Sequence, residues 1–188
     1  MTATTLPNLS RREGGFTLLE LLLVIGVAAL LLIGGIATYR LVSDGNKTTE
    51  TTRLLLTIRQ EAQTMAQQGN GVYTGVTFAG TGGGADAASP LVTGGVLRDG
   101  QRNAFGGTII IAPATTTVAD DSLSVTFNGL SQSACTKLMT SINNPSEVVS
   151  VTGNGTTILA AAFPVTPANA GGACNVAGNN NTIAWVFP

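Results

Sequence analysis

The chain has 188 residues, 24 of them glycine, with two cysteines and no histidine, and only 10% of it is charged against about 25% in an average soluble domain. That length suits one domain with a sizeable core and hardly two. A net charge of −1 and a pI near 5.2 argue against nucleic acid as the main partner, because phosphate binding needs clustered Lys and Arg.

The N-terminal stretch holds Arg11 and Arg12 and ends in Gly14-Gly15. Phe16-Thr17-Leu18-Leu19-Glu20 follows and leads into an apolar run to Tyr39. Leu21 to Ala37 carries no charge, and from Phe16 to Tyr39 only Thr17, Glu20 and Thr38 are polar. At about 1.5 Å per residue, some 20 such residues match a hydrocarbon core of roughly 30 Å. The arginines before the run keep that end cytoplasmic, so the C-terminal bulk crosses. An ordinary secretory signal ends its apolar region at small residues fit for cleavage. Here the run ends at Thr38-Tyr39-Arg40, and the glycine pair precedes it, so the apolar segment is kept. Glu20 lies one helical turn beyond Phe16. A carboxylate in lipid without a partner costs at least a few kcal/mol. Were the chain cut before Phe16, the amine so freed, on its own or a neighbouring helix, would supply the opposite charge; the plainer reading is a carboxylate that marks the membrane interface.

Gly14-Gly15-Phe16-Thr17-Leu18-Leu19-Glu20 resembles the processing site of a type IV prepilin. The resemblance implies cleavage between Gly15 and Phe16 and methylation of the new Phe16 amine. It also implies that Glu20 registers each subunit against the next.

Beyond Tyr39 the helical pattern continues. Leu55, Ile58, Ala62, Met65 and Ala66 recur at spacings of three and four, with Thr49, Thr52, Arg59, Gln60, Gln63 and Gln67 opposite. Asp44-Gly45-Asn46 predicts a kink or break, and Gly69-Asn70-Gly71 a stop. Gly26, Gly34 and Gly35 weaken the apolar half or permit close packing of helices. Residues 74–104, with Gly80, Gly82, Gly83 and Gly84, read as a long surface loop holding at most one short element; without a following Lys-Ser or Lys-Thr it is no phosphate cradle.

Strands are expected at Thr108 to Ala112, Ser122 to Phe127, Glu147 to Thr152, Thr157 to Phe163 and Thr182 to Phe187. In the last of these Ile183, Trp185 and Phe187 share a face. A helix capped by Ser131 runs to Ile142, with Cys135, Leu138, Met139 and Ile142 on its inner side, and Asn143-Asn144-Pro145 ends it. Gly153-Asn154-Gly155 is a hairpin turn. Residues 164–178 read as a loop around Cys174. Cys135 and Cys174 have no metal-site spacing, and in an exported domain a disulfide is their natural state; two buried thiols are the alternative. Asp120-Asp121 reads as a turn before a strand rather than a cation site.

Asn103 to Gly107 with its strand, Leu123 to Phe127 before Leu130 to Cys135, and Cys174 before Asn181 to Phe187 resemble the type IVb pilins, including the thin-pilus pilins of conjugative plasmids. This resemblance implies a Cys135–Cys174 bridge. The expected fold is α+β: a long N-terminal α-helix, apolar in its first half, packed on an antiparallel β-sheet head with a disulfide-stapled C-terminal region. The expected parts are a cleaved leader (1–15), a membrane and filament-core helix (16–40), its amphipathic continuation (41–69) and the head (70–188). The implied function is structural rather than enzymatic, without metal or other cofactor: a major pilin polymerised for adhesion, aggregation or mating contact. Its implied partners are copies of itself, a prepilin peptidase, an inner-membrane assembly platform and its lipid, and a cell-surface receptor, with no role for nucleic acid. The implied location is the bacterial inner membrane and then the surface pilus. The competing readings are a type II secretion pseudopilin and a minor or tip pilin acting as a binding module.

Overall fold

The computed structural model describes residues 17–142 and 144–188, and the chain divides into two units after Val42. Helix α1 is assigned from Leu18 to Gln68 and supplies residues to both. In the second unit it inserts Thr51, Leu55, Ile58, Ala62 and Ala66 into the core, at the spacing that puts them on one stripe. Met65 packs against that core from its margin. The helix does not stop at Asp44-Gly45-Asn46, where composition predicted an interruption. Thr51 and Leu55, about one and a half to three turns on, are anchored in the core, and propensity is a weak prior against such packing. The Thr48 and Thr49 hydroxyls donate to the Asp44 and Gly45 carbonyls at 2.7 and 3.1 Å, giving this turn a second set of bonds. Arg59 departs from expectation too: its side chain is only 16% exposed. The helix ends where predicted, with Asn70 and Gly71 at φ 65° and 80° and the Gly71 N–H returning to Ala66 O.

The sheet has five strands: β1 (Ile109–Ala114), β2 (Ser122–Leu130), β3 (Ser150–Gly153), β4 (Thr156–Leu159) and β5 (Asn181–Phe187). Their order is β1-β2-β5-β3-β4, with every neighbour antiparallel. The last strand in sequence is therefore the middle strand in space. Alternation sets the faces. Ile109, Ile111, Leu123, Val125, Phe127, Ile183, Trp185, Phe187, Val151 and Ile158 point into the core, and the residues between them point out. Phe127 and Trp185 meet edge to face, 5.6 Å between centroids. Pro113 is tolerated within β1 because this strand lies at the sheet edge.

Three expectations change. Residues 74–104 are not only surface loop: Phe78, Leu91 and Leu97 are buried there, and α2 (Pro90–Thr93) sets Leu91 into the core. The strands expected from Glu147 and to Phe163 are shorter. Glu147 lies in a turn, and Ala160–Ala162 is a single 3-10 turn. Residues 164–178 contain a helix, α4 (Pro167–Ala173), after α3 (Gln132–Ser141). Two glycines hid α4 from propensity, yet Thr166 caps it through the Asn169 N–H and Pro167 suits its first turn. Ser131 caps α3 as expected, accepting from the Ala134 N–H at 3.3 Å. Helix α3 ends at Ser141 with Ile142 extended at its C-cap, just before the expected Asn143-Asn144-Pro145 stop, of which Asn143 lies outside the described residues.

Candidate functional site

The apolar half of α1 is the first candidate region. Leu18 to Gly35 has a mean hydropathy of 2.6 and no buried residue. Leu18 is 77% exposed and Leu30 73%. Eighteen such residues are unlike a water-facing surface and are long enough to cross a membrane. Thr17 stands at the cap position, and its hydroxyl accepts from the Glu20 N–H at 3.3 Å. This is the Thr-x-x-Glu arrangement of a capping box, a signal that sequence reading had available and passed over. Glu20 therefore sits in the first turn, where the helix dipole favours a carboxylate. It is exposed. Gly15 and Phe16, the predicted processing pair, lie outside the described residues. A Cβ built at Gly26, Gly34 or Gly35 would meet nothing within 4 Å, and Leu30, Leu31, Gly34, Gly35, Tyr39 and Val42 line a shallow apolar recess.

The second region is the braced C-terminal part of the head. Cys135 on α3 and Cys174 just after α4 form a disulfide, with 5.7 Å between Cα atoms and both residues fully buried. Cys174 Sγ lies 3.4 Å from Met139 Sδ, and Gly153 leaves room for that methionine. Arg59 donates to Glu147 at 2.8 Å, and its guanidinium lies 5.2 Å from the Phe187 ring centroid. This bond and a second from Asn144 hold the Glu147 carboxyl below its ordinary range. Tyr73 donates to Pro188 O at 2.9 Å; burial pushes its phenol up, opposed by nearby Arg59.

An asparagine network that sequence reading missed closes one end of the sheet. Asn181 donates to Leu130 O and Val176 O and accepts from Asn154. Asn154 also donates to Ala173 O and accepts from the Thr182 N–H. Thr182 in turn donates to Asn128, and Asn128 to Thr108. Asn-rich turns look like loop filler in a sequence, and only the register turns them into a network.

The acidic residues of the head are occupied structurally. Asp121 accepts from the Thr117 hydroxyl and from the N–H groups of Thr116, Thr117 and Val118 at 2.6–2.9 Å, which holds its carboxyl far below the usual range. Asp120 accepts from Thr74 at 2.7 Å. The pair therefore builds a turn, as read from sequence. Asp99 takes the N–H groups of Gly84 and Asp86 in the glycine-rich loop, groups that a phosphate cradle would need. No group of three or more His, Cys, Asp or Glu that could hold a metal occurs among the described residues.

Residues 46–187 match the family model described as PilS N terminal. The chain belongs to that family. Residues 10–36 match the prokaryotic N-terminal methylation motif, a span that includes Gly15, Phe16 and Glu20. Two solved structures share the fold. The type IVb pilin from Salmonella typhi is 22% identical, with 75% of this chain and 97% of that one covered at a TM-score of 0.51. TcpA, a type IV pilin from the El Tor biotype of Vibrio cholerae, is 18% identical, with coverages of 76% and 99% at 0.54. No curated protein sequence matches the chain. Family, motif and fold together make it a type IV pilin. The pilin carries the α+β architecture expected of that class, with its apolar helix, five-stranded antiparallel sheet and C-terminal disulfide.

Proposed function

We propose that this pilin is the major structural subunit of a type IV pilus. A prepilin peptidase removes residues 1–15 between Gly15 and Phe16 and methylates the Phe16 amine. The processed subunit waits in the inner membrane, held by residues 16–40, with residues 41–69 continuing the helix and residues 70–188 forming the head outside the cytoplasm. On assembly the apolar segments bundle, and Glu20 pairs with the Phe16 amine of a neighbouring copy. The observation that carries this reading is the 18-residue apolar segment of α1, with a carboxylate in its first turn, lying inside the span that matches the methylation motif. Burying such a helix among copies of itself removes a large apolar area from lipid and water without any covalent link. Adhesion, aggregation or mating contact would follow from the surface that the heads present, through a receptor of the target cell.

The test is Glu20→Ala in cells that otherwise display the filament. The variant is expected to be processed and membrane-bound but not to appear in material sheared from the surface. Normal filament yield from Glu20→Ala would contradict the pairing role.

A further inference from the structure

The two edges of the sheet are treated differently. At β1 the outer edge is occupied: Phe78 exchanges both main-chain bonds with Ile111, at 2.8 and 2.7 Å, and Pro113 interrupts the rest. At the other edge β4 has no such cover among the described residues. The Ala160 N–H donates to Val149 O at 2.9 Å, which fixes the alternation along the β3–β4 ladder. Val151 with Ile158 and Gly153 with Thr156 are then the hydrogen-bonded pairs. The main-chain N–H and C=O groups of Thr157 and Leu159 consequently point away from the sheet.

Soluble sheets guard such an edge with charge, proline or a bulge. None of these stands in Thr156-Thr157-Ile158-Leu159, and from Val148 to Pro188 the chain has no Asp, Glu, Lys or Arg at all. Leu159 is 60% exposed, and Thr156 and Thr157 are exposed too.

We propose that β4 is a pairing edge for a second copy of this chain, related by a two-fold axis and joined antiparallel through β4 itself. The register follows from the outward groups. Thr157 opposite Leu159 of the other copy, and the reverse, satisfies both outward residues on both chains with four main-chain bonds. That register sets Ile158 beside Ile158 on the core side and Leu159 beside Thr157 on the outer side. Every side chain so matched is uncharged, so self-pairing meets no like-charge penalty, whereas a strongly charged strand would find no counter-charge here. The contact is small beside a standard interface, so one pair is weak. A two-fold contact closes on itself and cannot link successive subunits of one filament; between two filaments lying side by side it would be repeated along their length, and that last step rests on the pilus reading.

The test uses the full-length chain in the membranes and sheared material of cells that make it. Thr157→Cys and Leu159→Cys are introduced together and singly, and the oxidised protein is run without reductant. The proposal expects a disulfide-linked species of twice the subunit mass in the double variant, several-fold above either single, because each new cysteine faces the other kind across the axis. It is overturned by three results: a monomeric double variant with Cys135–Cys174 intact, equal cross-linking of the singles, or capture of a different protein. Leu159→Lys provides a second variant at an exposed position. It should lower self-association several-fold in sedimentation of the detergent-solubilised chain, and no change counts against the pairing. A pilin that assembles normally without cross-linking refutes this interface and leaves the pilus reading standing.

Discussion

Arg59 on α1 reaches Glu147 in the turn before β3, 88 residues away in sequence and 2.8 Å away in space, while its guanidinium covers Phe187 of the central strand. One side chain thus ties the head part of α1 to the middle and the rim of the sheet. Glu147→Gln should destabilise the head by about 1 kcal/mol, since the carboxylate is half exposed and the pair is screened. Arg59→Ala should cost about 2 kcal/mol, because packing on Phe187 is lost as well. Trp185 is the only tryptophan and is fully buried, so its fluorescence during urea unfolding reads both variants.

The Cys135–Cys174 bridge closes a loop of sequence separation 39. Chain-entropy reasoning gives it about 4 kcal/mol of stabilisation. Cys135→Ser and the double serine variant should lose similar amounts, and reductant should bring the native head to the same level. Unfolding midpoints with and without reductant check this.

Acid should weaken the head. Glu147 and Asp121 both have carboxyls held below their ordinary values, the first mainly by Arg59 and the second mainly by the Thr117 hydroxyl. A depressed folded-state pKa means that the unfolded chain binds protons first as pH falls. The contribution is therefore present above the ordinary carboxylate range near about 4 and is lost progressively below it. Melting temperatures followed downward from about pH 5 should fall, and Glu147→Gln with Asp121→Asn should flatten that fall.

Gly107 lies two residues before β1, against the Asn128 main chain of β2. A Cβ there would lie 1.7 Å from Asn128 O, a main-chain atom that cannot swing aside. Gly107→Ala should therefore cost several kcal/mol, toward the upper end of about 1–3 kcal/mol for overpacking or beyond it. Loss of soluble, oxidised head in expression trials, with Gly171→Ala as a tolerated control in open space, is the check.

Much of this was legible from residue patterns. Period-two alternation located β2 and β5, the three-four spacing from Leu55 to Ala66 marked the buried stripe of α1, and Asn154-Gly155 supplied its hairpin with positive φ at both positions. The glycine pair before an apolar run, with a carboxylate in its first turn, pointed to the family. What failed to show was non-local. Helix α4 depends on a threonine cap and a disulfide that outweigh two glycines. Phe78 is buried where it bridges Ile111 at the β1 edge, a pairing between residues 33 positions apart that local composition does not signal. Arg59 read as an outward residue because its partner lies 88 positions away. The placement of β5 between β2 and β3 is topology, on which alternation within a strand is silent.

The central claim is that the apolar helix is retained, trimmed at Gly15 and used for assembly. Intact-mass measurement of material sheared from the cell surface tests it most directly. The account predicts an abundant species beginning at N-methylated Phe16, lighter by the two hydrogens of the Cys135–Cys174 bridge. A surface species that keeps Met1 to Gly15, or a processed chain confined to the membrane fraction, would contradict it.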